Sequence, residues 1–253
     1  MMRAGSRSPE SRSAMQVRFG TCLPVAGVSL LILMPATLAA AATPPAPVTG
    51  PTAGQDSYQL TITEAAPPDG ITGAIAAHVQ GKSVNVLTAD GEPLMDIWFA
   101  RELPAPSDPD PHPGVAYGTL NEGVVLAVLR LHREHHDYRD QPVGPGLYVV
   151  RYLRQPDDGN HLGETTYRDF AVLVRPSTDS PDPQGFQETL DQALELNLHP
   201  FVWGLWPQDQ VPGEVPGIAS FQPDKWAVKI NLGRADGSSL PIAFVVAGNE
   251  WHY

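Results

Sequence analysis

The chain has 253 residues, with 28 Asp+Glu against 16 Lys+Arg, a formal net charge of −12 and a single cysteine. So acidic a surface repels phosphate backbones, which argues against nucleic acid as a partner. One cysteine excludes a disulfide framework and a thiolate metal site, so the fold has to be held by burial alone.

Residues 1–42 read as a signal peptide. Arg3, Arg7, Arg12 and Arg18 precede an apolar run over 25–42 that ends in four consecutive alanines at 39–42, the pattern of a cleaved export signal. Met15 opens a tidier signal than Met1, so either residue is a candidate start. The rival is a retained anchor, because the run approaches the ~20 apolar residues that cross a bilayer. Pro35 and the alanines suit processing better. Cys22 lies before the apolar core, on the wrong side for lipid attachment. The expected location is therefore periplasmic or extracellular, with membrane contact only through an uncleaved signal segment. Cleavage takes away four arginines and Glu10, leaving twelve Lys+Arg against twenty-seven Asp+Glu, a net of −15, and no cysteine.

Residues 43–56 form an Ala/Pro/Thr/Gly-rich linker, and 57–253 are expected to make a single domain. Twenty-seven prolines and twenty-three glycines break the chain into segments of strand length. Strands are predicted over 58–63, 71–80, 83–88, 94–99, 124–131, 147–154, 167–174, 200–205, 226–232 and 240–246. The first alternates apolar and polar and should have one wet face. The 124–131 segment is apolar on both faces apart from Arg130, as expected of a central strand. Turn signals at 89–92, 144–146 and 157–160 join neighbours as hairpins. The proline-rich stretch 103–114 reads as a surface loop. One short helix is predicted near 183–197, capped by Asp182, with Phe186, Leu190, Ala193 and Leu194 on one face. The fold class is thus mainly β, an antiparallel β-sandwich of immunoglobulin-like or prealbumin-like type with one short helix.

The stretch Gln141-Pro142-Val143-Gly144-Pro145-Gly146-Leu147-Tyr148-Val149-Val150-Arg151-Tyr152 resembles the proline/glycine turn and following strand of prealbumin-like and carboxypeptidase-regulatory-like β-sandwiches. Tyr138-Arg139-Asp140-Gln141, Asp158-Gly159-Asn160-His161-Leu162-Gly163, Tyr167-Arg168-Asp169-Phe170 and His199-Pro200 are together similar to a group of exported bacterial β-sandwich proteins of no established activity. These resemblances imply a fold and an address, not a mechanism.

Two sets of residues could carry chemistry. His132, His135 and His136, with Asp137 or His161 completing the shell, could hold zinc or copper. The spacing fits neither His-Glu-x-x-His nor its inverted form, and a solvated hairpin tip explains the same residues. Along the aromatic stretch 200–207, read as a strand, Trp203 and Trp206 face opposite ways, so one ring could stand exposed to stack on a sugar or a partner protein. Asp169 and Arg168 are expected in structural ion pairs, with Arg139 or Asp140 as neighbours. No nucleophile elbow, phosphate loop or dinucleotide fingerprint occurs, so the sequence leans away from an enzyme. The expected function is that of an exported, non-catalytic protein that binds a partner protein or a glycan. The alternative is a periplasmic metal-binding protein or metal-dependent hydrolase.

Overall fold

The computed structural model describes residues 57–156, 165–177 and 180–250. The signal segment, the linker and His161 lie outside the described residues.

Ten strands form one antiparallel sheet. In spatial order they are β1 (Tyr58–Glu64), β2 (Lys82–Thr88), β3 (Pro93–Phe99), β4 (Val125–Leu131), β7 (Gly146–Arg154), β8 (Asp169–Val174), β9 (Val202–Trp206), β12 (Ser239–Ala247), β11 (Lys225–Gly233) and β10 (Gly217–Gln222). A two-stranded ribbon, β5 (His135–His136) with β6 (Pro142–Val143), bridges β4 and β7. The mainly β, antiparallel expectation is met, and the sheet is nearly closed into a barrel.

Closure follows from one apolar face running through almost every strand. Val84, Val86, Met95, Ile97, Leu129, Val150, Tyr152, Leu173, Trp203, Leu205, Val228, Ile230, Ile242 and Phe244 belong to one buried cluster. A face that apolar cannot remain wet, so the sheet curls around it. Phe99 of β3 meets Phe244 of β12 edge to face at 6.3 Å, though five strand steps separate β3 from β12 around the sheet. Only curling brings them together. The seam lies between β1 and β10, and Tyr58 braces one end of it against Trp226 at 5.6 Å.

A second apolar layer covers part of the outside. Ile75, Val79, Val125, Val128, Val149, Leu153, Val172, Val202, Trp206 and Val245 form it. β4 is therefore buried on both faces, as its composition predicts. Much of the covering comes from two helices, α1 (Gly73–His78) and α2 (Phe186–Leu194).

α1 corrects the strand predicted over 71–80. The Thr72 hydroxyl accepts from the Ile75 amide at 3.4 Å and caps a short alanine-rich turn, which drops Ile75 and Val79 onto the sheet. Only Val79 keeps a bridge, to Ala100. α2 starts at Phe186 behind Gly185, later than Asp182 suggested. Asp182 serves instead as an anchor: its carbonyl, with those of Ser180 and Gly123, accepts from the fully buried Arg151 guanidinium. Desolvation pulls Arg151 down to about 10, so it keeps its charge at neutral pH. β10 is an edge strand that the sequence reading omits, because Pro216, Gly217 and Pro223 bracket it with turn signals.

The 103–124 excursion carries no strand of the large sheet and is pinned at intervals. The Leu103 amide donates to the Gly233 carbonyl at 2.8 Å, Ser107 to Thr119 at 3.0 Å, and Asp110 to Gly118 at 3.0 Å. Tyr117, at its far end, is buried. Asp169 explains the anchoring: it accepts from the amides of Ala116 and Tyr117 and from the Tyr152 hydroxyl at 2.7 Å. Next to it, Arg168 donates to the Gln155 carbonyl from Nε at 3.1 Å and from Nη2 at 2.7 Å.

Candidate functional site

Beside this apolar covering, the outer face of β1–β4 carries a polar strip towards the Arg130 end of β4. Thr61, Asn85, Asp96 and Arg130 stand in direct cross-strand register on four successive strands. Cross-strand neighbours on one face lie close enough for their side chains to interact. The Thr63 hydroxyl donates to Asn85 Oδ1 at 2.9 Å, and Asn85 Nδ2 donates to Asp96 Oδ1 at 2.6 Å and to Ser83 Oγ at 3.0 Å. His132, just beyond the end of β4, closes the row with Nε2 at 2.8 Å from Asp96 Oδ2. A carboxylate oxygen accepts, so Nε2 carries the proton and Nδ1 is left for another partner.

Arg130 lies over the Trp98 ring at 5.6 Å, a cation–π contact that holds the guanidinium above the indole. The Trp98 indole is fixed in turn by donating to the Ala65 carbonyl at 3.0 Å. Above this floor opens a groove of about 440 Å³, lined by Thr61, Thr63, Asn85, Asp96, Arg130 and His132 among others. The groove presents donors and acceptors held in fixed relation by their own bonds. The hydroxyl of Thr63 is bonded to Asn85 and is thereby held within the row.

A larger, apolar groove of about 550 Å³ runs beneath α2, over Leu153, Phe170, Val172 and Val202. It borders Pro156, the last described residue before Thr165. Arg154 at its side is already engaged by Asp110 and by Glu122 at 3.6 Å. Of these two grooves, the one over β1–β4 carries the connected cross-strand polar row.

The histidines of the ribbon do not converge. His132 turns to Asp96, His135 Nε2 meets the Val246 carbonyl at 2.7 Å, and His136 Nδ1 meets Asp140 at 2.7 Å. Among the described residues no group of three His, Cys, Asp or Glu side chains is placed to hold a metal ion. Burial lowers the pKa of His135. The neighbouring Asp137 is buried as well, and desolvation pushes it up while the amides of Val202, Gln141 and Arg139 oppose the rise. Its oxygens are occupied by these bonds, so Asp137 ties the ribbon to β9.

Trp203 and Trp206 alternate across β9 as predicted, Trp203 into the barrel and Trp206 outward. Neither ring is offered to solvent, with 2% and 4% of their surfaces exposed. Trp206 is enclosed by Tyr167 at 4.9 Å and Phe221 at 5.0 Å, and its indole donates to the Tyr138 hydroxyl at 3.0 Å. Tyr138 in turn donates to Glu250, which also receives the Thr166 amide at 3.1 Å. Burial raises the pKa of Tyr117, Tyr138 and Tyr152, keeping these hydroxyls protonated donors.

Of the groove, the sequence reading reached only His132, and for another reason. Arg130 was visible as the one charge in an apolar strand, and Asp96 as the one acid inside 94–99. Comparison with family models, curated proteins and solved structures finds no match to this chain.

Proposed function

We propose that this protein is a non-catalytic binding protein that takes a neutral, polyhydroxylated ligand, a glycan, in the polar groove over β1–β4. The observation that carries the reading is the connected row Thr63–Asn85–Asp96–His132. Planar amide, carboxylate and imidazole groups spaced along a rigid sheet suit the alternating donors and acceptors of sugar hydroxyls. A net charge of −12 disfavours acidic polymers, hence the neutral class. The aromatic version of glycan binding, through Trp203 or Trp206, moves to this groove because those rings are enclosed. Export to the periplasm or beyond, where polysaccharides are met, belongs to the same proposal and rests on the amino-terminal pattern. So does a flattened, sandwich-like section of the sheet, supported by the two opposed strands whose Phe99 and Phe244 meet across the interior.

The test is a glycan array followed by calorimetry with Asp96→Asn and Asn85→Ala. A lost hydrogen bond to a charged group is worth about 1.5–3 kcal/mol, so Asp96→Asn should weaken binding about tenfold or more. Circular dichroism should be unchanged, because both side chains lie on the solvent face. An array silent for neutral glycans, or binding that ignores both substitutions, refutes the reading. Capture of a protein instead would restore the partner-protein alternative.

A further inference from the structure

We propose that the apolar groove beneath α2 binds an amphiphile with one hydrocarbon chain and a carboxylate head, a fatty acid. This site is separate from the polar groove over β1–β4 and stands or falls independently of it. α2 docks on the sheet through Thr189 and Ala193, both fully buried. Beside that contact Phe186, Leu190 and Leu194 follow one another at i, i+4 spacing and form one wall of the groove, which Leu198 continues past the helix end. Leu153 of β7, Phe170 and Val172 of β8 and Val202 of β9 form the other. The space between them, about 550 Å³, falls within the ~300–1,000 Å³ of small-molecule sites.

The groove is open as well as apolar. Leu194 exposes 40% of its surface and Leu198 88%, so two of the four large apolar side chains that stand exposed among the described residues lie here. Contiguous apolar surface of this kind marks a place where something binds. The walls decide what. A peptide or a sugar would press polar groups against leucine, valine and phenylalanine, which offer no donor or acceptor, whereas a hydrocarbon chain needs none. Water is displaced from such a surface at little loss, because it finds few polar partners there.

Charge selects the head. The chain as a whole carries −12, yet no Asp or Glu is among the described residues that line the groove, while Arg139, Arg154 and His199 are. A cationic head would meet no carboxylate. Arg154 is engaged by Asp110 and Glu122, so the head belongs at the other end. There the Tyr138 amide donates to the Val202 carbonyl at 2.8 Å, which sets Arg139 near the entry to β9, where His199 and Pro200 lie. A guanidinium has several donors in a planar fork that matches a carboxylate, and it can serve one alongside a neighbour within the chain.

The full-length protein, stripped of bound lipid on a hydrophobic resin, is titrated by calorimetry with dodecanoate, dodecanol and dodecyltrimethylammonium, each below its micelle threshold. We expect dodecanoate to bind at one site, and the alcohol and the cation about tenfold or more weakly. Leu194→Asp and Leu198→Asp change exposed positions and should leave the circular dichroism spectrum as it is. Each should weaken dodecanoate about tenfold or more. Arg139→Gln combined with His199→Gln should bring dodecanoate down to the level of the alcohol and leave the alcohol unaffected. A wild-type protein that binds no dodecanoate up to ~100 μM overturns the proposal. So does binding that prefers the cation, or that ignores either pair of substitutions. Flotation with phosphatidylglycerol vesicles that dodecanoate fails to compete away also overturns it, since the face would then be a membrane contact.

Discussion

Asp137 and His135 sit two residues apart in the ribbon, and their environments dictate opposite titration behaviour. Asp137 satisfies the amides of Arg139 at 2.9 Å, Gln141 at 2.8 Å and Val202 at 2.9 Å. Asp137→Ala strands these donors in a buried site, and we expect about 2–3 kcal/mol of lost stability in urea unfolding, with Asp137→Asn losing less. A change below about 0.5 kcal/mol would show the anchor to be idle. His135 has a folded pKa below its ordinary 6.5 because burial disfavours the charged form. The unfolded chain then binds the proton first, so the contribution is fully present above pH 6.5 and is lost as pH falls through the lower folded value. His78 is lowered for the same reason, by burial first. Stability should drop between pH 7 and pH 5, and His135→Gln should flatten that drop; an unaltered slope would exclude His135 as a contributor.

Between elements, the decisive contact is the Tyr138 ring laid on Gly204 of β9. A methyl group built there comes to 2.8 Å from the ring, so the glycine is what lets the ribbon turn lie flat on the strand. Gly204→Ala should destabilise the fold by about 1–3 kcal/mol through overpacking. Adding Tyr138→Ala should recover part of the Gly204→Ala effect, since the clash then has no second party; strictly additive losses in a double-mutant cycle would argue otherwise. The same docking encloses Trp206, which the alternation along 200–207 left free to be exposed. Strand periodicity tells which face a residue is on. It does not tell what later segment will cover that face.

For the whole molecule, curvature is the property to test. Phe99 and Phe244 touch only because the sheet wraps its apolar face inward. Phe244→Ala should cost about 3–5 kcal/mol, and its effect should fall measurably once Phe99 is already alanine. In an open, flat sheet the two losses would simply add. Unfolding monitored by tryptophan fluorescence suits this cycle, because Trp203 lies in the same interior cluster.

Much of this architecture was legible residue by residue. Strand identity followed from short apolar runs between prolines and glycines, the wet face of β1 from its alternation, and the double burial of β4 from its unbroken apolar composition. Those are local properties, set by backbone periodicity and the transfer of side chains out of water. The 71–80 segment and β10 were misread because alanines under a threonine cap, and glycine beside proline, carry local signals that do not name a sheet edge or a packed helix. The polar row was beyond local reach altogether. Thr63, Asn85, Asp96 and His132 are spread over seventy positions and become neighbours only through strand register, which the chain specifies by burying one face of the sheet in common. Composition and periodicity therefore determined that the protein is β-rich, acidic and held by burial. Tertiary structure decided which polar side chains meet, because hydrogen bonding across strands depends on register and curvature that no single segment contains.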